Sequence, residues 1–248
     1  MTIDFPRSIQ PLKALWKQAF GDTDAFIDNF FQTGFAPQRC RCIYENDKPV
    51  SVLYWFDCLW QNRPVAYLYA IATDKQFRGQ GYFRELLENT HAYLAGLGYA
   101  GAVLVPAEDS LFGMYEKLGY QGFCCLEPVT ISAGKISVPV RTVAPVTFLQ
   151  ERNARLPENA LQHQMPALDF VHTYAQFYMA ENCIFCAAKE NSTIYFQEFF
   201  GDSAALPGII RALGAEKCVI RLPGSRPFAM YYDLSENGMP DYFNIPLD

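Results

Sequence analysis

The 248-residue sequence predicts a mixed α/β fold in two halves. Three observations carry that expectation. Helical stretches with one apolar face alternate with short runs rich in β-branched and aromatic residues. Two-residue polar turns, Asn46-Asp47 and Gln61-Asn62, separate such runs and read as hairpins. A glycine-rich turn, Arg78-Gly79-Gln80-Gly81, stands between a strand-like run and a helical one.

Residues 11–20 read as a helix with Leu12, Leu15, Trp16 and Phe20 on one side, ended by Gly21-Asp22. Residues 24–33 give a second helix carrying Phe26, Ile27, Phe30 and Phe31. Strands are expected over 41–44, 50–59 and 63–72. The next helix runs to about residue 97, with Leu86, Leu87, Thr90, Tyr93 and Leu94 on one face and Gly98 suited to its end. A buried strand over 100–105 follows, then a short helix over 111–118 closed by Gly119, then a strand from Tyr120. The order is ααβββαβαβ.

After Pro128 the pattern restarts. Residues 138–147 are mixed strand and loop, and a helix is expected over 167–178. A hairpin spans 183–189 and 193–200 across Glu190-Asn191-Ser192. A helix over 204–213 and strands over 217–222, 228–234 and 241–245 complete the chain. The division falls at residue 130, giving halves 1–130 and 131–248.

Composition narrows function. Half the residues are hydrophobic and 19% are charged, enough for a sizeable core and against disorder. A net charge of −6 gives no support to a general nucleic-acid role. No apolar run reaches about 18 residues and the first residues lack an apolar signal core, so no membrane role and a cytoplasmic location are expected. Cys183-x-x-Cys186 and Cys40-x-Cys42 lie among strand-like residues, so buried thiols are expected rather than a metal site.

The turn at 78–81 carries the chemistry. Two glycines let a backbone approach something bulky. The start of a helix offers free N–H groups and a positive dipole end, and so favours an anion. Arg78 and Lys75 add positive charge. No Gly-Lys-Ser/Thr follows, which excludes a P-loop, and Arg84 stands where a dinucleotide fingerprint needs its third glycine. What remains, Arg78-x-x-Gly81-x-Phe83 opening a helix, resembles the pyrophosphate motif of the GNAT superfamily of N-acetyltransferases. A larger apolar residue at the last position resembles the enhanced-intracellular-survival type. The segment Phe112-Gly-Met-Tyr115-Glu-Lys-Leu-Gly119-Tyr120 resembles the family's second recognisable stretch.

This resemblance implies a central, mostly antiparallel sheet flanked by helices, and a first strand that the residues before 11 do not reveal. It covers about residues 10–130; beyond them only element order echoes the first half. The second half lacks Arg-Gly-x-Gly and places Gly201-Asp202-Ser203 at the corresponding turn, so a degenerate GNAT-like half is expected. The implied reaction is transfer of acetyl from acetyl-CoA to a primary amine of a small molecule or peptide. Backbone amides from Arg78 through Gly79, Gln80, Gly81, Tyr82, Phe83 and Arg84 would hold the pyrophosphate. Ile71, Ala72 and Thr73 match the positions where the family splays a strand for the pantetheine arm. Tyr115 matches the tyrosine that protonates the departing thiolate, a task suited to a phenol of ordinary pKa about 10. Phe30, Phe31 and Tyr69 either line the acceptor site or serve as core.

No general base is evident. The terminal Asp248 carboxylate is one candidate; His91, His163 and His172 read as packing or surface residues, and Glu108 and Asp109 as caps. A transferase of longer acyl groups, and a non-catalytic acyl-CoA-binding module, are the alternatives. Acceptor identity and oligomeric state are not readable.

Overall fold

The computed structural model describes residues 1–247, and Asp248 lies outside the described residues. The chain forms two compact units. One comprises Met1–Gly122 and Met230–Met239, the other Phe123–Ala229 and residues 240–247. A single cut at residue 130 thus becomes an interleaved division.

In the first unit, β1 (Thr2–Asp4) pairs antiparallel with β2 (Cys40–Glu45), setting Ile3 opposite Ile43. This is the strand the sequence reading lacked; three residues carry too little periodicity to reveal it. Helix α1 (Gln10–Phe20) buries Leu12, Leu15 and Trp16 and stops at Gly21, which takes a left-handed φ of 76°. Helix α2 (Asp24–Asn29) opens on Thr23, whose hydroxyl accepts the Phe26 N–H at 3.2 Å. The helix expected over 24–33 changes at Phe30 into a π-helical turn, Phe30–Gly34. Strands β3 (Lys48–Trp60) and β4 (Arg63–Thr73) follow as hairpins. Asn46, Asp47, Gln61 and Asn62 all have positive φ, as the tight turns that match strand twist require.

Helix α3 (Tyr82–Gly96) lays Leu86, Leu87 and Leu94 against the sheet, each at most 1% exposed. Burial of each stabilises by about 2 kcal/mol. Strand β5 (Gly101–Leu104) pairs parallel with β4, and α4 (Phe112–Glu116) is shorter than the expected 111–118 because a 3₁₀ turn, Asp109–Leu111, takes Leu111 and the helix stops at Glu116.

The second unit holds β6 (Gln121–Ser132), β7 (Arg141–Thr142), α5 (Pro145–Asn153), β8 (Gln162–His163), α6 (Met165–Val171), β9 (Gln176–Ala180), β10 (Cys183–Glu190), β11 (Thr193–Phe200), α7 (Leu206–Ala212) and β12 (Lys217–Asp233). Its strands pair in the order β7-β9-β10-β11-β12, with only β11 and β12 parallel. A core of Phe185, Phe196, Leu206, Ile209 and Ile210 lies beneath them.

The last residues of β12, Met230–Asp233, belong to the first unit and pair antiparallel with β5. The first unit's sheet is therefore mostly antiparallel with helices packed on it, as the sequence predicts. Three expectations for the second half change. The 167–178 helix ends at Val171 and its last residues join β9. The strands over 217–222 and 228–234 are one strand. The 241–245 strand is an extended segment with a single bridge, Ala160 to Tyr242.

Candidate functional site

The site is built where β4 and β5 part. The two strands pair through Val65–Gly101, Ala66–Ala102 and Tyr67–Val103, and the pairing goes no further, although β4 continues to Thr73. On its other edge β4 stays paired with β3 to Ser51–Thr73, but with a register shift between Val52 and Tyr54. The extra residue of β4 falls at Ala70, which takes φ 47°. A non-glycine residue in that region is uncommon and carries strain, here spent on a bulge that redirects the strand. Ser51, fully buried, then holds the end of β4 through its hydroxyl, bonded to Ala72 O at 3.1 Å and to the Thr73 hydroxyl at 2.9 Å.

The motif turn hangs from that end. Asp74 donates its N–H to Val50 O at 2.8 Å and caps the Gln76 N–H with its carboxylate at 2.9 Å. Arg78 folds back so that Nε donates to Thr73 O at 3.1 Å. Gln18, on α1, accepts the Lys75 N–H at 3.1 Å and so ties that helix to the turn. Gly79 and Gly81 have φ of 75° and 88°. A Cβ on either would meet nothing within 4 Å, so the backbone there faces open space.

Gly81 is the N-cap of α3, and no side chain caps the helix. The first helical bond is Glu85 N–H to Gly81 O, which leaves the amides of Tyr82, Phe83 and Arg84 without a helical acceptor. Three such N–H groups at the positive end of a 15-residue helix make a candidate cradle, of a kind that suits an anion.

A cleft of about 410 Å³ joins these parts. Ile71, Ala72 and Thr73 line it on the strand side, and Arg78, Gly79, Gly81, Tyr82 and Phe83 on the turn side. Gln80 and Arg84 are exposed beside it. Among the described residues no Asp, Glu or His lines it. Ala19, Phe20, Phe77, Leu111 and Met114 complete the walls; the sequence reading missed all five. Met114 lies within the second motif and Leu111 directly before it, so the motif itself points to this wall. Phe20, 46% exposed, sits where α1 stops, and nothing in its spacing distinguishes it from a core residue.

Tyr115 stands one ring away from this wall. It is 8% exposed, and its ring meets Phe83 edge-on at 5.9 Å. Burial pushes its phenol up to about 12, so it holds its proton throughout the physiological range. Phe30, Phe31 and Tyr69 are brought together, with centroids 5.3 Å and 5.7 Å from Phe30 to the other two, but none lines the cleft. Phe30 is 1% exposed and its ring is core, packed on Trp16 at 4.7 Å; Phe31 and Tyr69 are half-buried.

A protein-family model described as an acetyltransferase (GNAT) domain matches residues 6–123. Residues 6–123 form a GNAT domain. This GNAT domain carries the splayed strands, the cradle and the cleft. Solved structures share the fold over nearly the whole chain. A GCN5-related N-acetyltransferase from Anabaena variabilis is 16% identical, with 94% of this chain and 73% of that one aligned and a TM-score of 0.73. Eis1 from Mycobacterium abscessus is 10% identical over 94% and 74%, TM-score 0.68. A GCN5-related N-acetyltransferase from Sphaerobacter thermophilus is 10% identical over 98% of both chains, TM-score 0.56. No curated protein matches the sequence.

The other sequence candidates lie elsewhere. His91 is buried in the GNAT domain at 6% exposure, and burial lowers its pKa to about 4. His163 and His172 lie in the second unit. Glu108 accepts the Ser110 hydroxyl at 3.3 Å. The Asp248 candidate lies outside the described residues. All eight cysteines are free; Cys183 and Cys186 sit three apart on β10, hence on opposite faces.

Proposed function

We propose that the GNAT domain binds acetyl-CoA and transfers its acetyl group to a primary amine of a small molecule or peptide. One observation carries the reading: two parallel strands part beside an uncapped helix start with two left-handed glycines, and a single cleft joins the two features. The features suit the two ends of one ligand, a charged pyrophosphate and a narrow, hydrogen-bonding pantetheine arm. The amides of Tyr82, Phe83 and Arg84 take the pyrophosphate oxygens, while Arg78 and Arg84 add screening charge. The edge of β4 that β5 no longer pairs, from Ile71 to Thr73, takes the arm as a strand would. Acetyl-CoA supplies an activated thioester. The protein's part is to hold it, to exclude water with Phe20, Phe83 and Met114, and to place a protonated phenol near the sulfur. Tyr115 is that phenol. The described residues lining the cleft include no carboxylate or imidazole, so this reading assigns no general base to them. The acceptor enters past Phe31 and Tyr69, which Phe30 supports from the core.

The second unit serves as a degenerate GNAT-like half. At its matching turn Gly201-Asp202-Ser203 replaces Arg78-Gly79-Gln80-Gly81, so a carboxylate, bonded to the Ala204 N–H at 2.9 Å, stands where the first unit offers arginine and glycine.

A second reading, CoA-ester binding without transfer, is favoured by the position of Tyr115 behind Phe83. Isothermal titration with acetyl-CoA and CoA, on the wild type and Gly81→Glu, tests the cradle. Glutamate at φ 88° is strained, and its charge points where phosphate should sit. We expect binding by the wild type and at least a 100-fold loss in the variant, about 2.7 kcal/mol. Equal binding by both would sink the cradle. Binding together with an amine screen in which nothing is acetylated would select the second reading.

A further inference from the structure

Behind the cleft wall lies a buried polar cluster that the proposed reaction does not use. His91, on the third turn of α3, meets the Tyr120 hydroxyl through Nε2 at 2.7 Å. Its ring stacks on Tyr232 at 4.1 Å with the planes 23° apart. Tyr120 is 2% exposed and its ring meets Tyr115 edge-on at 5.5 Å. The backbone repeats the link, since Tyr120 donates its N–H to Tyr115 O at 3.1 Å. Tyr115 in turn abuts Phe83, a cleft residue.

The elements that carry these residues matter. α3 begins at the anion cradle, whereas α4 and its preceding turn carry Leu111, Met114 and Tyr115. The His91–Tyr120 bond is the buried, directional contact between α3 and the segment that closes α4. Apolar packing alone would let one wall slide against the other; a hydrogen bond at a fixed length and angle does not.

We infer that His91 and Tyr120 are positioning residues for the transfer reaction: their hydrogen bond fixes Tyr115 against the wall that receives the thioester. The inference rests on Tyr115 acting as the thiolate acid. Neutral imidazole, favoured by burial, keeps the pair intact across the working pH range.

The experiment is a double-mutant cycle on the full chain. His91→Phe keeps the stack on Tyr232, and Tyr120→Phe keeps the edge contact with Tyr115. Made together they remove both polar atoms and leave none orphaned, so the pair folds even where a single variant does not. Release of CoA thiol is followed with an amine from the screen, or with water as acceptor where none is found. We expect the paired variant to lower kcat roughly tenfold with CoA affinity within twofold, and to lower it no further when Tyr115→Phe is already present. Unchanged kcat in the paired variant overturns the inference. So does the same tenfold loss in the Tyr115→Phe background, which would mark a general structural effect. Full turnover by Tyr115→Phe alone is a different result: it removes the acid role, and the positioning argument falls with it.

Discussion

Gly34 has no room for a methyl group. A Cβ there would meet Phe56 Cζ at 2.7 Å and Cε1 at 3.0 Å, and Phe30 at 3.2 Å. The ring of Phe56 cannot swing aside, because it packs on Phe30 and Tyr69 at 6.0 Å in a cluster that includes Trp16 and Tyr54. Gly34→Ala is therefore expected to destabilise by about 1–3 kcal/mol through overpacking. Gly96, at the end of α3, is the matched control: a Cβ there meets nothing within 4 Å. Gly96→Ala should gain up to about 1 kcal/mol from helix propensity. Urea unfolding of the two variants beside the wild type measures both. Equal midpoints for Gly34→Ala and wild type would mean that the aromatic cluster yields more easily than its contacts indicate. No sequence rule marks Gly34, because its constraint comes from Phe56, a residue distant in the chain. Gly79 and Gly81 are readable because their constraint is local, a turn that opens a helix.

The same division between local and distant causes decides which elements were legible. The hairpins were, since Asn46-Asp47 and Gln61-Asn62 carry their own backbone preference. So was α3, whose leucines recur at helical spacing. α5 was not: its buried residues are Phe148 and Arg152, so its inward face reads as polar. The start of β9 reads as helix because Phe177 and Tyr178 extend an apolar pattern past Val171, and only pairing with β10 makes them strand. In the cleft, the cradle and strand end were legible from the motif, while Phe20 and Phe77 depend on which way α1 and the turn face. The Arg152 that hides α5 also holds it. Its side chain is fully buried and meets Glu198 of β11 through two bonds, Nε to Oε2 at 2.5 Å and Nη2 to Oε1 at 3.0 Å, with Tyr242 donating to Oε1 at 2.9 Å. Arg152→Met leaves a buried carboxylate behind and is expected to cost about 3–5 kcal/mol, whereas Arg152→Met with Glu198→Leu should recover most of that loss. Denaturant curves of the single and double variants decide it; a double variant no better than the single would show that the pair itself, not the orphaned charge, is what the unit needs.

At the scale of the whole molecule, each unit buries one imidazole, and this sets its response to acid. Burial lowers His91 to about 4 and His163 to about 3; His163 also feels the Arg152 charge, partly offset by its bond to Asn244 O at 2.8 Å. Both values lie below the ordinary histidine value of about 6.5, so the unfolded chain takes up protons first as pH falls. The sign follows: the stability these groups contribute is fully present above about 6.5 and is lost as pH drops toward the folded values. Between pH 6.5 and 5 each histidine is neutral when folded and protonated when unfolded, a loss of about 2 kcal/mol apiece at 1.36 kcal/mol per unit. That window lies above the ordinary carboxylate range near 4. Urea melts at pH 7, 6 and 5 should therefore show a midpoint that falls steadily, and the His91→Phe/Tyr120→Phe variant should lose the share of the fall that belongs to the first unit. Where the two units unfold in separate steps, the substitution should flatten one step and leave the other. An acid response identical in wild type and variant would mean that His91 reaches solvent before the GNAT domain unfolds.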